Sequence, residues 1–236
     1  MKAFILAAGL GTRLQPLTDK TPKPMLKIGG KPLLEHQINL LKKYGVTEIA
    51  MNLFHLREAI SGYFSDGSKL GVKINYINEA ELSGTAGPLK KLASFFDESF
   101  IVIYGDNLTD INIELMAKYH SNKGGLATVA LYWEKHPESK GIVVMDRENK
   151  ILKFKEKPKT EEIDSHYANA GIYICEPEIL NSIPDNQFYD FGQDLFPKLI
   201  KDGGEIYGYI MEEYLLDIGT IPAFHKAQKD IQSLGI

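Results

Sequence analysis

Apolar and polar positions sort the chain into short strands and amphipathic helices. Ala3–Ala7 is a brief apolar run closing on small residues and Gly9, the pattern of a parallel strand covered on both faces. From Leu33 to Tyr44 the residues Leu33, Leu34, Ile38, Leu40 and Leu41 recur close to helical period, with Pro32 suited to the first turn and Gly45 to a C-terminal cap. Strands predicted at Glu48–Asn52, Lys73–Ile77 and Phe100–Tyr104 alternate with helices predicted at Arg57–Phe64 and Pro88–Phe95. That alternation predicts an α/β fold with a doubly wound, mostly parallel sheet of Rossmann-like type.

The texture changes after a helix expected over Ile113–Asn122. Leu126–Tyr132, Gly141–Asp146 and Ile151–Glu156 read as strands with little helix between them, and Asp146-Arg147-Glu148-Asn149 as a hairpin turn. A further strand at Tyr167–Ile174 precedes a helix near Asp194–Lys201, a strand pair at Ile206–Ile210 and Tyr214–Asp217, and a last helix over Ile221–Leu234. The second half is therefore expected to be a mixed, antiparallel-rich extension, and no linker marks a boundary, so the 236 residues are read as one domain.

Composition narrows the classes. Hydrophobic residues at 44% and charged residues at 25% can bury a core, and a net charge of −4 gives no reason to expect nucleic acid or an anionic membrane as partner. Ala3 to Ala8 is too short to cross a bilayer and lacks a basic run before it. Cys175 is the only cysteine, so no internal disulfide forms, and a reducing, cytoplasmic setting is expected. The six histidines are scattered, with no metal-like spacing.

The first strand runs into Ala8-Gly9-Leu10-Gly11-Thr12-Arg13-Leu14, then Pro16-Leu17-Thr18 and Pro22-Lys23-Pro24. Glycines after a strand let backbone N–H groups approach phosphate oxygens, and Arg13 and Lys23 add positive charge. Two prolines restrict the backbone around Lys23. A P-loop is excluded, because no Gly-Lys-Ser/Thr follows. A dinucleotide fingerprint is excluded as well, because position 14 is Leu14. The glycines alone are equally compatible with a plain turn; the charged and proline-rich positions behind them favour a phosphate cradle.

These residues resemble the sugar-1-phosphate nucleotidyltransferase family, whose signature is Gly-x-Gly-Thr-Arg-Leu-x-Pro-Leu-Thr followed by Pro-Lys-Pro. The resemblance recurs in order at Gly84-Thr85-Ala86-Gly87, Gly105-Asp106-Asn107, Glu156-Lys157-Pro158, Asn169-Ala170-Gly171 and Leu216-Asp217-Ile218-Gly219-Thr220. It implies an enzyme that joins a sugar 1-phosphate to a nucleoside triphosphate and releases pyrophosphate, with Mg²⁺ held by Asp106 and Asp217. It implies catalytic roles for Arg13, Lys23 and Asp106, and nucleotide contacts from Ala8, Gly9, Gly11, Thr12, Arg13, Lys23, Glu79 and Gly84. On the sugar-phosphate side it implies Asp106, Gly141, Glu156, Lys157 and Asn169; a Glu-Lys pair taken alone would read as solvated surface. The nucleotide-binding half is then about 1–122 and the sugar-binding half about 123–236.

The Gly84–Leu89 version of the loop is similar to that of mannose-1-phosphate guanylyltransferases, which points to GTP and a manno-configured sugar, with Glu79 or Glu81 accepting hydrogen bonds from guanine. Thymidylyl-, uridylyl- or cytidylyltransfer to glucose 1-phosphate is the alternative. Two other classes are an inactive nucleotide-sugar sensor, which would have lost a charged residue present here, and a GT-A-type glycosyltransferase, whose Asp-x-Asp is replaced by Asp106-Asn107-Leu108. Partners are thus small molecules, with a homo-oligomer permitted. The sequence stops soon after Leu234, where many relatives continue into a left-handed β-helix, so a single activity is expected.

Overall fold

The computed structural model describes residues 1–234. In chain order the strands are β1 (Lys2–Leu6), β2 (Lys27–Ile28), β3 (Lys31–Pro32), β4 (Glu48–Leu53), β5 (Lys73–Asn78), β6 (Phe100–Tyr104), β7 (Asn107–Thr109), β8 (Ala127–Trp133), β9 (Gly141–Met145), β10 (Ile151–Glu156), β11 (Tyr167–Cys175), β12 (Ile206–Ile210) and β13 (Leu215–Asp217). The α-helices are α1 (Leu33–Lys43), α2 (Arg57–Phe64), α3 (Gly87–Lys90), α4 (Ile113–Lys123), α5 (Phe196–Lys201) and α6 (Ile221–Asp230). Among the described residues the backbone forms two compact units: residues 1–82, 103–113 and 213–234 belong to unit 1, and residues 83–102 and 114–212 to unit 2.

Unit 1 is parallel α/β structure. β4 pairs in parallel with both β1 and β5. The apolar residues of β1 are buried because helices and loops cover both faces of such strands. α1 buries Leu33, Leu34, Ile38, Leu40 and Leu41 along one stripe. It ends as its sequence predicts: Gly45 has φ +76°, its amide donates to Lys42 at 2.9 Å, and the Val46 amide donates to Leu41 at 3.0 Å. This pair of bonds is a Schellman cap, and glycine adopts the left-handed conformation it needs at little cost. The short pair β7–β13 is antiparallel and places Asp217 opposite Asn107. Leu108 of β7 and Ile218, which follows β13, join Ile28, Leu33, Ala227 and Ile231 in one apolar cluster, which fixes α6 onto the ribbon.

Unit 2 is antiparallel-rich, as the second half of the sequence predicts. β11 pairs antiparallel with β8 and β9, β9 pairs antiparallel with β10, and β12 joins β8 in parallel. The Asn169-Ala170-Gly171 motif interrupts β11: the register slips between Asn169 and Tyr173, Gly171 takes φ +68°, and the Asn169 side chain accepts from the Gly171 amide at 2.9 Å. The motif is therefore a bulge, which re-aims side chains where it occurs.

Three helices differ from expectation. The segment predicted as Pro88–Phe95 is α-helical only over Gly87–Lys90; beyond it the amides of Leu92, Ala93 and Phe95 bond three residues back, which tightens the chain into turns. The last helix ends at Asp230, not Leu234. Before α5, residues Phe191–Leu195 form a π-helical turn, started by Asp190, whose side chain accepts from the amides of Gly192 and Gln193.

Candidate active site

In unit 1 the glycine-rich segment turns directly after β1. Gly11 has φ +66°, and a Cβ there would lie 3.0 Å from Lys23 Cβ and 3.1 Å from Thr18 Cγ2. Glycine at this position serves two ends, the left-handed turn and the close approach of the Pro22-Lys23-Pro24 segment. The Thr18 hydroxyl donates to the Gly11 carbonyl at 2.9 Å and closes the loop. Residues Thr12–Leu14 then form a short 3₁₀ turn that leaves Arg13 exposed. Gly9 is exposed and Ala8 buried.

Gly105 is held against the end of β1. Its amide donates to the Leu6 carbonyl at 2.8 Å, and a Cβ there would sit 2.5 Å from that oxygen. Asp106 follows at once, beside the strand end that carries the glycine-rich loop. The buried Lys23 ammonium pairs with Asp106 Oδ2 and lies 3.7 Å from Asp217 Oδ1. Asp217 reaches this point because the Ile218 amide donates to the Asp106 carbonyl at 2.9 Å. Gly219 keeps the neighbourhood open, since a Cβ on it would lie 2.9 Å from both Arg13 Nη2 and Asp217 Oδ1. Four residues named from sequence, Arg13, Lys23, Asp106 and Asp217, thus meet within unit 1.

Two carboxylates already arranged around one cationic group form a donor set that suits Mg²⁺, which favours one or two carboxylates and takes its remaining oxygens from water and phosphate. Among the described residues no cluster of three or more His, Cys, Asp or Glu forms an all-protein metal cage.

Two residues of unit 1 carry more of the site than their sequence suggests. Gln37, inside α1 and 2% exposed, donates to the carbonyls of Tyr104 at 2.8 Å and Asn107 at 2.7 Å. It therefore clamps both sides of the Gly105-Asp106 turn. Asn52 accepts from the Ala7 amide at 2.9 Å and donates to Glu79 Oε1 at 2.7 Å. Glu79, 2% exposed, thus has its carboxylate engaged with a side chain that braces the start of the glycine-rich loop, whereas Glu81 is exposed. Neither Gln37 nor Asn52 belongs to a signature.

Gly141, Glu156, Lys157 and Asn169, expected from sequence on the sugar-phosphate side, all lie in unit 2, whereas Asp106 lies in unit 1. Glu156 ends β10 opposite Gly141 on β9. A Cβ on Gly141 would lie 2.6 Å from Glu156 Oε2, and one on Gly192 would lie 2.9 Å from the same oxygen. The carboxylate is lodged between two glycines. Burial raises the Glu156 pKa; Asp190 adds to the rise, and Lys157 and Lys140 oppose it. Lys157 is exposed at φ +47°, an uncommon conformation for a side chain-bearing residue, with its amide donating to the Lys140 carbonyl at 3.0 Å. Asn169 donates to the Tyr173 hydroxyl at 2.8 Å. Gly84 also belongs to unit 2, where its loop is bound to the Tyr189–Phe191 backbone. The role of Gly192 beside Glu156 escaped the motif reading; the acidic cap Asp190 before Phe191-Gly192 is the local signal that could have exposed it.

A family model described as nucleotidyl transferase matches residues 2–233, and the chain belongs to that family. It is 42% identical over 247 residues to a UTP–glucose-1-phosphate uridylyltransferase of Synechocystis sp., covering 99% of this chain and 64% of that protein. It is 36% identical over 225 residues to a probable mannose-1-phosphate guanylyltransferase 1 of Oryza sativa subsp. japonica, covering 93% and 61% respectively. The chain thus spans about three fifths of the length of these curated relatives. Among solved structures, a putative glucose-1-phosphate thymidylyltransferase from Bacillus anthracis superposes with a TM-score of 0.89 at 25% identity, covering 100% of this chain and 97% of that one. HddC from Yersinia pseudotuberculosis, complexed with GMP-PN, gives 0.82 at 26% identity, covering 98% and 99%. Among the described residues no helix is long and apolar enough to cross a membrane.

Proposed function

We propose that this chain transfers a nucleotidyl group from a nucleoside triphosphate to a sugar 1-phosphate, giving an NDP-sugar and pyrophosphate, with Mg²⁺ as its metal. The observation that carries this reading is the meeting of Arg13, Lys23, Asp106 and Asp217 at strand ends of unit 1. Ligands of open α/β sheets gather at such ends.

The chemistry asks for no protein nucleophile or general base. The sugar phosphate is already ionised; its oxygen attacks the α-phosphorus in line, and pyrophosphate departs with the electron pair of the broken P–O bond. What the protein must supply is orientation and compensation of charge. Asp106 and Asp217 would hold Mg²⁺, which when bound neutralises phosphate oxygens. Backbone amides of Gly9, Gly11 and Thr12 are read as phosphate donors beside Ala8. Arg13, exposed on its turn, would neutralise the departing pyrophosphate. Lys23 would bind an anionic oxygen. In unit 2, Glu156 and Asn169 are read as partners of sugar hydroxyls, Gly141 as the space beside them, and Lys157 as a partner of the sugar phosphate. A reducing compartment, the cytoplasm, suits Cys175, which is buried and free.

GTP with mannose 1-phosphate is one substrate pair, supported by the Gly84–Leu89 loop and by the name of the Oryza relative. A second pair, UTP with glucose 1-phosphate, is favoured by a specific observation. The Glu79 carboxylate, a proposed guanine reader, is buried and accepts a hydrogen bond from Asn52. The Synechocystis relative, named for that reaction, points the same way. The deciding experiment is pyrophosphate release with GTP, UTP, dTTP, CTP and ATP against mannose and glucose 1-phosphates. A tenfold lead in kcat/KM, about 1.4 kcal/mol, assigns the pair. Absence of pyrophosphate from every pair in Mg²⁺ would overturn the activity itself.

A further inference from the structure

The Gly84-Thr85-Ala86-Gly87 segment reads from sequence as a nucleotide-side loop, yet its polar groups are turned onto another segment of unit 2. The amides of Ala86 and Gly87 both donate to the Tyr189 carbonyl, at 2.9 and 3.0 Å, and the Tyr189 amide returns a bond to Ser83 at 3.0 Å. Gly84, at φ +84°, passes so close to the Tyr189 backbone that a Cβ would collide with it. Thr85 does the most: its hydroxyl donates to Asp190 Oδ2 at 2.7 Å and accepts from the Phe191 amide at 2.9 Å.

The segment so held borders the sugar-side residues in two ways. Asp190 Oδ1 accepts from the Gly192 amide at 2.9 Å, and Gly192 lies against the Glu156 carboxylate with no side chain between them. The Phe191 ring meets the Tyr173 ring at 4.8 Å, and the Tyr173 hydroxyl accepts from Asn169. Both paths are short and packed, so a shift of the Asp190–Gly192 backbone is passed on rather than absorbed.

We infer that Thr85 and Asp190 are positioning residues for Glu156 and Asn169, so that the Gly84–Gly87 loop governs discrimination of the sugar 1-phosphate. The inference rests on the nucleotidyltransferase reading above. Valine has the shape of threonine but neither donates to the half-buried Asp190 nor accepts from the amide of the buried Phe191, and both partners then lose a hydrogen bond. Serine retains both bonds. Gly192→Ala reaches the same wall from the other end, because its Cβ would press on Glu156 Oε2.

The test measures KM for each substrate separately by pyrophosphate release, using the full chain and the pair preferred by wild type. Thr85→Val is expected to raise KM for the sugar 1-phosphate at least tenfold, with KM for the nucleotide within about twofold. Thr85→Ser should restore the sugar value to within about threefold, and Gly192→Ala should move it in the same direction as Thr85→Val. A rise confined to the nucleotide KM, or equal rises in both, would overturn the inference while leaving the activity standing. A lowered melting temperature with unchanged KM values would do the same. Wild type that releases no pyrophosphate overturns both. Should Thr85→Val not fold, Gly192→Ala and Thr85→Ser decide alone: an unchanged sugar KM in Gly192→Ala rejects the inference.

Discussion

Gln37→Leu isolates how the Asp106 turn is held. The substitution removes two buried hydrogen bonds, to the Tyr104 and Asn107 carbonyls, each worth about 1 kcal/mol net. Against this, Gln37 Oε1 is itself buried without a hydrogen-bond partner among the described residues, a penalty of about 1 kcal/mol that leucine relieves. The net loss of stability is therefore only about 1 kcal/mol, which for a chain of this size lowers Tm by about 2–4 °C. The functional cost is expected to be larger, because the lost bonds flank the residue proposed to hold the metal. The Mg²⁺ concentration for half-maximal turnover should rise at least about tenfold, some 1.4 kcal/mol, and direct Mn²⁺ binding in the presence of nucleotide should weaken in step. Gln37→Glu keeps the shape but sets a carboxylate against two carbonyls, and should be worse on both measures. Thermal melts, a Mg²⁺ titration of pyrophosphate release and Mn²⁺ binding make up the assay. A variant with the expected drop in Tm and an unaltered Mg²⁺ requirement would refute the idea that Gln37 matters for more than packing.

Asp106→Asn is expected to lower turnover by about a hundredfold with folding retained, the scale seen when a key electrostatic group is removed; undiminished activity in excess chelator would eliminate the two-aspartate metal site. Arg13→Ala should reduce kcat more than it raises the nucleotide KM, since its charge is asked to act as pyrophosphate forms; a change in KM alone would make it a ground-state clamp. The pKa of Glu156 is raised by its burial above an ordinary value of 4.5, so the protonated form favours the fold below that pH and the contribution fades as pH rises through the raised value. Glu156→Gln should accordingly melt higher than wild type at pH 7 and lose the advantage near pH 4, and an identical difference at both pH values would contradict the assignment.

Much of the site was legible because its signals are local. Gly11, Arg13 and Lys23 lie within one turn-rich stretch, and the conformations that glycine allows and proline restricts are fixed by each residue and its immediate neighbours. The stripe of α1 and its Gly45 cap follow from interactions over three to five residues. The placement of Asp106 and Asp217 at strand ends followed from element alternation and from the motif resemblance. What only the tertiary structure decided are pairings across long stretches of chain. Gln37 sits on α1 with no mark distinguishing it from an exposed helical glutamine; its bonds run 67 and 70 residues along the chain. Thr85 and Asp190 are 105 residues apart, and Asn52 meets Ala7 and Glu79 across 45 and 27. Sequence periodicity states which face of an element is buried. Which buried donor faces which carbonyl depends on strand order and register, and these are set by packing the whole unit at once.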